Sequence, residues 1–299
     1  MFDVVFIILN YCSWKDTERL TREIISEEIP SSKILIVDNC SPNDSYEQLQ
    51  GLVSDSVELI RTDKNGGFAK GNNFGLRYAA KYNPKYVCII NNDIHFTGET
   101  IKSLISYYDV IPDIGIISPL QYDTSGKPVV WRSLKCPTLW DDIICYFAIR
   151  IKKKHIYELN TTYGNVQRVD IIPGAFMFAS YQTLSDADFF DESTFLFGEE
   201  RFIFRRLQAI GKKNYVVLNQ HYIHDHSVTI HSTTTRSKQS SYFFHSHAKY
   251  HLKYGPLPHL MVAVLWVAYM FGRLKDSSII IIKRTLLWCV PKLCPERWK

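Results

Sequence analysis

Four short apolar runs, each closing on a polar cluster and separated by stretches of helix length, constrain this fold more than any other feature of the sequence. Residues 4–9 (VVFIIL), 33–37 (KILIV), 57–60 and 86–90 (YVCII) are dominated by branched apolar side chains, the pattern of strands covered on both faces. Ser13 or Asp16 opens a helix that runs to about Glu28, ahead of Pro30. A second helix over 75–82 stops at Asn83-Pro84, and a third spans 100–108 before a strand at 114–118. This rhythm predicts an α/β fold of βαβ units with a mainly parallel central sheet flanked by helices. The strand ends carry Asn10-Tyr11, Asp38-Asn39, Asn65-Gly66-Gly67 and Asn91-Asn92-Asp93. Ligands of open α/β sheets bind beyond the carboxyl ends of the strands, so these four clusters are expected to converge on one edge.

The second half is less regular. Residues 119–170 hold turns, a basic run at 150–154 and scattered aromatics, read as excursions beside that edge. A strand over 175–179 follows Pro173-Gly174, and a helix over 199–210 is closed by Gly211. A strand at 216–218 leads to His221, His224 and His226, and the polar stretch 231–241 reads as a loop. The domain division predicted is a body over 1–240, with halves 1–118 and 119–240, and a helical extension over 241–299.

Charge sets that extension apart. The chain carries +5 overall, but from Lys249 onward nine Lys or Arg face only Asp276 and Glu296, a balance of +7 that leaves 1–248 at −2. The same stretch holds the apolar runs 257–271 and 278–290, with Trp266, Tyr269 and Trp288 beside basic residues. Neither run reaches the roughly 18–20 residues of a spanning helix. A basic, apolar tail on a near-neutral body predicts contact with an anionic membrane surface rather than nucleic acid. The alternative is a helical subdomain packed on the body or in a homo-oligomer. Met1-Phe2-Asp3 offers no basic n-region, and the seven cysteines form no CxxC pair. Both features predict a cytoplasmic protein with reduced thiols, peripheral on the inner face of the cell membrane.

Several segments are candidates for chemistry. Asn65-Gly66-Gly67-Phe68-Ala69-Lys70-Gly71-Asn72-Asn73 is glycine-rich after a strand, but it matches neither G-x-x-x-x-G-K-[ST] nor G-x-G-x-x-G. It is either a tight turn before a helix or a loop that touches a ligand. Asp93, at a strand end among amides, suits a divalent ion that also takes diphosphate oxygens, or else caps a turn. Glu199-Glu200 opens a helix; acids there complement the helix dipole, or one of them serves as a general base on a rigid element. His224 and His226 could ligate a metal or donate to phosphate, but no zinc spacing accompanies them and no G-x-S-x-G elbow is present.

In order and spacing, residues 3–230 resemble the family 2 inverting glycosyltransferases of GT-A fold, in particular the rhamnosyltransferase-like enzymes of bacterial surface polysaccharides. The resemblance implies nucleotide contacts at Asn10 and Tyr11, at Asp38 and Asn39, and in the loop of Asn65, Gly67, Phe68, Gly71 and Asn72. Cys12 stands where that pattern usually has Asn. Asn91-Asn92-Asp93 resembles a relaxed D-x-D element, which implies Asn92 beside the diphosphate and Asp93 as ligand to Mn2+ or Mg2+, assisted by His224 or His226. Pro173-Gly174-Ala175 resembles the segment near donor sugar and acceptor, and Glu200 stands where the catalytic acid of the family's Glu-Asp pair falls, with Glu199 before it. Glu200 at a helix start should stay ionised at neutral pH, although that position tends to weaken its basicity.

The implied activity is transfer of a hexosyl or deoxyhexosyl unit from a UDP- or dTDP-sugar to a hydroxyl of a growing, lipid-linked polysaccharide such as a capsule or O-antigen. The rivals are a non-catalytic sugar-nucleotide-binding or scaffold protein and another nucleotide-handling enzyme, such as a nucleotidyltransferase or dehydrogenase. The dehydrogenase pattern needs a glycine-rich turn after the first strand, where this chain has Asn10-Tyr11-Cys12-Ser13.

Overall fold

A computed structural model describes residues 2–129, 135–147, 164–225 and 235–273. In chain order the elements are β1 (Val4–Asn10), α1 (Trp14–Ser26), β2 (Ser32–Asp38), α2 (Ser45–Leu49), β3 (Val57–Arg61), α3 (Gly67–Ala79), β4 (Tyr86–Ile90) and β5 (Ile94–His95). They continue with α4 (Gly98–Tyr108), β6 (Ile114–Tyr122), α5 (Leu139–Phe147), β7 (Val166–Val169), β8 (Phe176–Ser180), α6 (Tyr181–Asp186), α7 (Glu199–Ala209) and β9 (Lys213–His224). A helix Arg236–Tyr254 and a last helix over 258–273 follow.

The strands form one sheet in the order β3-β2-β1-β4-β8-β6-β9-β5, with β7 paired to β9. β1 shows why its run is unbroken. Val4, Phe6 and Ile8 pack with Leu20, Ile24, Ile101 and Leu104 on one face, while Val5 and Ile7 pack with Leu76, Ala79, Ile203 and Leu207 on the other. A period-two strand buried on both sides has no position for a polar residue until its end.

The expected parallel pairing holds through β3, β2, β1 and β4. Beyond β4 the sheet is mixed, because β8 runs antiparallel to both β4 and β6. That reversal matters for the site. It delivers the segment preceding β8, Pro173-Gly174-Ala175, to the edge where β4 ends, and Asn91 N–H donates to the Ala175 carbonyl at 3.0 Å.

Helix α3 starts at Gly67, earlier than the predicted residue 75. Its glycines serve close approach rather than helix breaking. A Cβ at Gly71 would lie 2.4 Å from Leu9 Cδ1, and one at Gly75 would lie 2.8 Å from Val37 Cγ2 and 2.9 Å from Ile7 Cγ2. Residues 236–241, expected in a loop, form the start of a helix whose Tyr242 and Phe243 stack on Phe195 and Phe197 at centroid distances of 4.8 and 4.4 Å. Those tertiary contacts override a polar local sequence.

The α3–β3 seam is held by Glu58, which accepts hydrogen bonds from the hydroxyls of Tyr78 and Tyr82 and pairs with Lys81 at 2.7 Å. Partial burial raises the Glu58 pKa, but donation from Lys81, Tyr78 and Tyr82 more than reverses this and brings it to about 2. A depressed carboxyl stabilises the fold above its ordinary pKa and loses that contribution as pH falls toward the folded value. Glu58→Gln is therefore expected to cost about 1–2 kcal/mol in urea unfolding at neutral pH. Wild type and variant should converge as the pH is lowered from 4.5 to about 2.

The chain divides into two compact units, one of Met1–Cys136 with Lys154–Ser246 and one of Pro137–Lys153 with His247–Lys299. In the second unit Asp142 is buried and accepts from His251 Nε2 at 2.7 Å, and Tyr146 meets Tyr269 edge-on at 5.6 Å. The basic run 150–154, His226 and the apolar run 278–290 lie outside the described residues.

Candidate active site

In the parallel half of the sheet, β1 has β2 on one side and β4 on the other, so the chain reverses its direction of winding between β1 and β4. Crevices at such a reversal, beyond the carboxyl ends of the strands, receive ligands in α/β sheets. Here that position brings together Asn10-Tyr11, Asn91-Asn92-Asp93 and the start of α1, joined by the Thr17 hydroxyl donating to Asn10 Oδ1 and by Asn92 Nδ2 donating to Ser13 Oγ.

The β1 and β2 ends are locked together. Asn10 Nδ2 donates to Asp38 Oδ1 at 2.8 Å, Ser41 N–H donates to Asp38 Oδ2 at 3.1 Å, and Arg61 Nε sits 3.3 Å from the same oxygen. Asp38 is fully buried. Its carboxylate, expected to touch a nucleotide, is engaged by three protein donors and fixes Asn10, Ser41 and Arg61 at the edge. Asn39 likewise turns inward: it donates to Asn65 Oδ1 at 3.0 Å and to the Gly67 carbonyl at 3.2 Å, and accepts from Gly66 N–H. Asn72 donates to the Phe68 carbonyl, and Gly71 packs on Leu9. The side chains of Asn10, Asp38, Asn39 and Asn72 thus build the rim, whereas Tyr11, Asn65, Phe68 and Asp93 are only half-buried along it.

The glycine loop and the paired acids meet across Gly174. Phe68 N–H donates to the Phe195 carbonyl at 3.0 Å. Gly67, at φ +83°, passes so close that a Cβ there would fall 1.9 Å from the Phe195 oxygen. On the other side, a Cβ on Gly174 would lie 3.2 Å from Phe68 Cζ and 3.4 Å from Glu200 Oε1, and Gly174 N–H donates to that same oxygen at 3.4 Å. Gly67→Ala combines a left-handed backbone with a collision against main chain. It is expected to cost about 2–4 kcal/mol of stability, and differential scanning calorimetry should show a much lower Tm.

Glu199 and Glu200 are not equivalent. Glu199 is 4% exposed, and its Oε2 has no hydrogen-bond partner among the described residues. Burial pushes its pKa well up, and the neighbouring Glu200 charge adds to this. Burial also raises Glu200, but the backbone amides of Glu200, Gly174 and Gly198 favour its ionised form and limit the rise. Two adjacent acids whose environments differ in this way separate into a protonated partner and an ionisable one. The weakened basicity expected from the helix start is thus reversed by burial.

Asp93 forms the opposite pole. His224 Nε2 lies 3.1 Å from Asp93 Oδ1, and His224 Nδ1 is 3.2 Å from Gln121 Nε2. The Tyr222 hydroxyl donates to Gln121 Oε1 at 3.0 Å. This chain is satisfied when the Gln121 amide donates to Nδ1 and the Nε2 proton points at Asp93. Helix α1 grips the turn around Asp93: Arg19 Nη2 donates to the Asn92 carbonyl at 2.9 Å and Nη1 to the Ile94 carbonyl at 3.2 Å. Asn92 Nδ2 reaches Ser13 Oγ at 2.7 Å and Thr17 Oγ1 at 2.8 Å. Ser13 occupies the α1 N-cap position without capping the helix through its side chain.

Asp16 is raised by burial, opposed by Arg19, and raised further by the charges of Asp93 and Asp225. Among the described residues no group of three or more His, Cys, Asp or Glu is placed to hold a metal. One carboxylate with an imidazole beside it, in the field of two further carboxylates, still fits a divalent ion that draws its other ligands from phosphates and water. His226 lies outside the described residues.

Sequence reasoning did not find Arg19, Thr17, Ser41, Arg61, Gln121 or Phe195 as contributors. The one available signal was the polar spacing Ser13, Thr17 and Thr21 on a helix face that should otherwise be apolar.

Residues 3–178 match glycosyl transferase family 2. The chain belongs to that family. It is 29% identical over 199 residues to the low-salt glycan biosynthesis hexosyltransferase Agl10 of Haloferax volcanii, a match taking in 66% of this chain and 59% of that protein. The chain thus spans less than two thirds of that relative's length. Among solved structures, S. aureus TarS 1–349 in complex with UDP aligns with a TM-score of 0.53 and 16% identity, over 89% of this chain and 70% of that one. GalNAc-T7 with UDP, GalNAc and Mn2+ aligns with a TM-score of 0.57 and 12% identity, over 90% and 55% of the two chains. At these identities the structural likeness carries the fold, which is GT-A.

Proposed function

We propose that this chain is an inverting glycosyltransferase that moves a hexosyl or deoxyhexosyl unit from a UDP- or dTDP-sugar to a hydroxyl of a lipid-linked saccharide on the cytoplasmic side of a membrane. The observation that carries this reading is the separation of two poles on one edge. The Glu200 carboxylate lies against Gly174, and the adjacent Ala175 accepts from Asn91 N–H, two residues before Asp93. A hexosyltransferase relative and structural neighbours solved with UDP, one of them also with Mn2+, support the reading.

Tyr11, Asn65 and Phe68 would contact the nucleotide from the rim. Glu200 would take the proton of the attacking hydroxyl, and that hydroxyl displaces the diphosphate from the opposite face of the sugar in one step, so the anomeric configuration inverts. A divalent cation held by Asp93, whose carboxylate His224 orients, would supply positive charge to the departing diphosphate. Arg19, Ser13 and Thr17 hold the Asp93 turn in place, and the Gly67–Phe195 contact holds the Phe68 loop against the base.

The test is a panel of UDP- and dTDP-sugars screened by thermal shift with and without Mn2+, followed by NMR of the product made from the best donor. A single donor should raise Tm and give a product of inverted anomeric configuration. No stabilisation by any nucleotide, or a product of retained configuration, would overturn the proposal.

A further inference from the structure

The second unit ends, among the described residues, in a helix that is apolar on every side. Along 258–273, Met261, Leu265, Ala268 and Gly272 recur at spacings of four and three, with Leu265 and Ala268 buried. This is the inward face, where a Cβ at Gly272 would meet the Tyr146 carbonyl at 2.6 Å. A neighbouring face, about 100° round the helix, repeats the same spacing with Leu260, Val264, Val267 and Phe271, and Trp266 and Met270 continue the apolar surface on the side away from the inward face. All six are exposed, with Leu260 at 59%, Trp266 at 52% and Phe271 at 57%.

A helix facing water on one side should be polar there, and one apolar all round belongs in an apolar medium. A patch of this kind marks a contact surface. No described helix is long and apolar enough to cross a membrane. Charge selects the occupant. Residues 235–273 contain no Asp or Glu, while Lys249 and Lys253 precede the helix and Arg273 ends it. An apolar stripe with a tryptophan, bracketed by cations and free of anions, complements lipid tails below an anionic headgroup layer.

We infer that the 258–273 helix lies in the plane of an anionic bilayer, with Leu260, Val264, Val267 and Phe271 entering the acyl boundary and Lys253 and Arg273 at the headgroups. This inference rests on the helix alone and not on the sugar-transfer reading.

The test is co-sedimentation of the full chain with phosphatidylcholine vesicles, with or without phosphatidylglycerol, for wild type, L260E/V264E/V267E and K253E/R273E. UDP binding and light-scattering mass are measured in parallel. The altered side chains are exposed, Arg273 alone being half-buried, so unchanged UDP binding or an unchanged Tm reports an intact fold. Wild type should pellet only with phosphatidylglycerol vesicles. The apolar variant should lose vesicle affinity by more than roughly a hundredfold, and the charge variant by about tenfold or more. Wild type that stays in solution, that binds neutral vesicles equally, or that the apolar variant matches would overturn the inference. An apolar variant that binds vesicles normally but shifts from dimer to monomer would reassign the stripe to a second copy of the chain. Loss of UDP binding by wild type with vesicle binding intact would fault the sugar-transfer reading only.

Discussion

Glu200→Gln is expected to bind UDP as wild type does and to lose turnover by about 10²–10⁴-fold, the usual contribution of a positioned general base. The amide keeps the side chain's size and can still accept from Gly174 N–H, so the Phe68–Gly174 contact should survive. What disappears is the ability to take a proton. Isothermal titration with UDP and a coupled assay of UDP release separate the two effects. The pH dependence supplies a second check. Burial raises the Glu200 pKa above the ordinary 4.5. A base works only when deprotonated, so kcat should fall as pH drops through that raised value and level off above it.

Glu199→Gln should behave differently. Glu199 is buried and favours its neutral form, which glutamine mimics, so turnover should stay within about tenfold of wild type. Because the unfolded chain releases the Glu199 proton above about pH 4.5 while the folded chain retains it, wild-type stability declines as pH rises beyond that point. The variant should lack that component of the decline in urea unfolding. If Glu199→Gln is inactive and Glu200→Gln is active, the two roles are exchanged.

The contrast between these neighbours was invisible in the sequence, where Glu199-Glu200 is one doublet at the start of a helix. Helical geometry requires adjacent residues to point about 100° apart, so one of them had to face away, but which one depends on Gly174, a residue distant in sequence. The strands and their polar ends were legible because burial on both faces leaves a continuous apolar imprint, and the convergence of those ends followed from parallel pairing. The reversal at β8 left no comparable imprint, since a buried strand looks the same in either direction. Direction nevertheless decides whether Gly174 reaches the edge at all.

The polar residues were legible as a group and not one by one. Asn10, Asp38 and Asn39 look like ligand contacts because amides and carboxylates at strand ends commonly are. Here Asn10 pairs with Asp38, and Asn39 with Asn65 and the Gly67 carbonyl, as buried polar groups must be paired, so each also builds the rim. The glycines of 67, 71 and 75 illustrate the same limit. Their spacing of four is a helical face, visible in hindsight, but glycine's low helix propensity obscured it until the strand side chains beneath them were known.

Asp93→Asn is the second variant with a large expected effect. UDP should bind it with the same affinity in the presence and absence of Mn2+, whereas Mn2+ should strengthen UDP binding to wild type. The substitution removes the charge while preserving shape, and the asparagine oxygen can still accept from His224, so the turn itself should remain. Loss of the metal effect would then report the carboxylate and not a collapsed loop.

Arg19→Met supplies the complementary experiment. It leaves Asp93 charged but frees the carbonyls of Asn92 and Ile94 that Arg19 now grips. Groups that orient a metal ligand without touching the ion typically account for 10–100-fold in affinity. Arg19→Met is therefore expected to weaken Mn2+ binding by about that factor, as read by the loss of free Mn2+ signal in electron paramagnetic resonance with UDP present. Arg19→Lys should recover only part of it, since one ammonium cannot reproduce the fork that spans two carbonyls. If Asp93→Asn retains the full Mn2+ effect, Asp93 does not hold the ion and the pole must be sought elsewhere on the edge. If Asp93→Asn loses it while Arg19→Met does not, the carboxylate alone suffices and the grip of α1 serves the fold rather than the site.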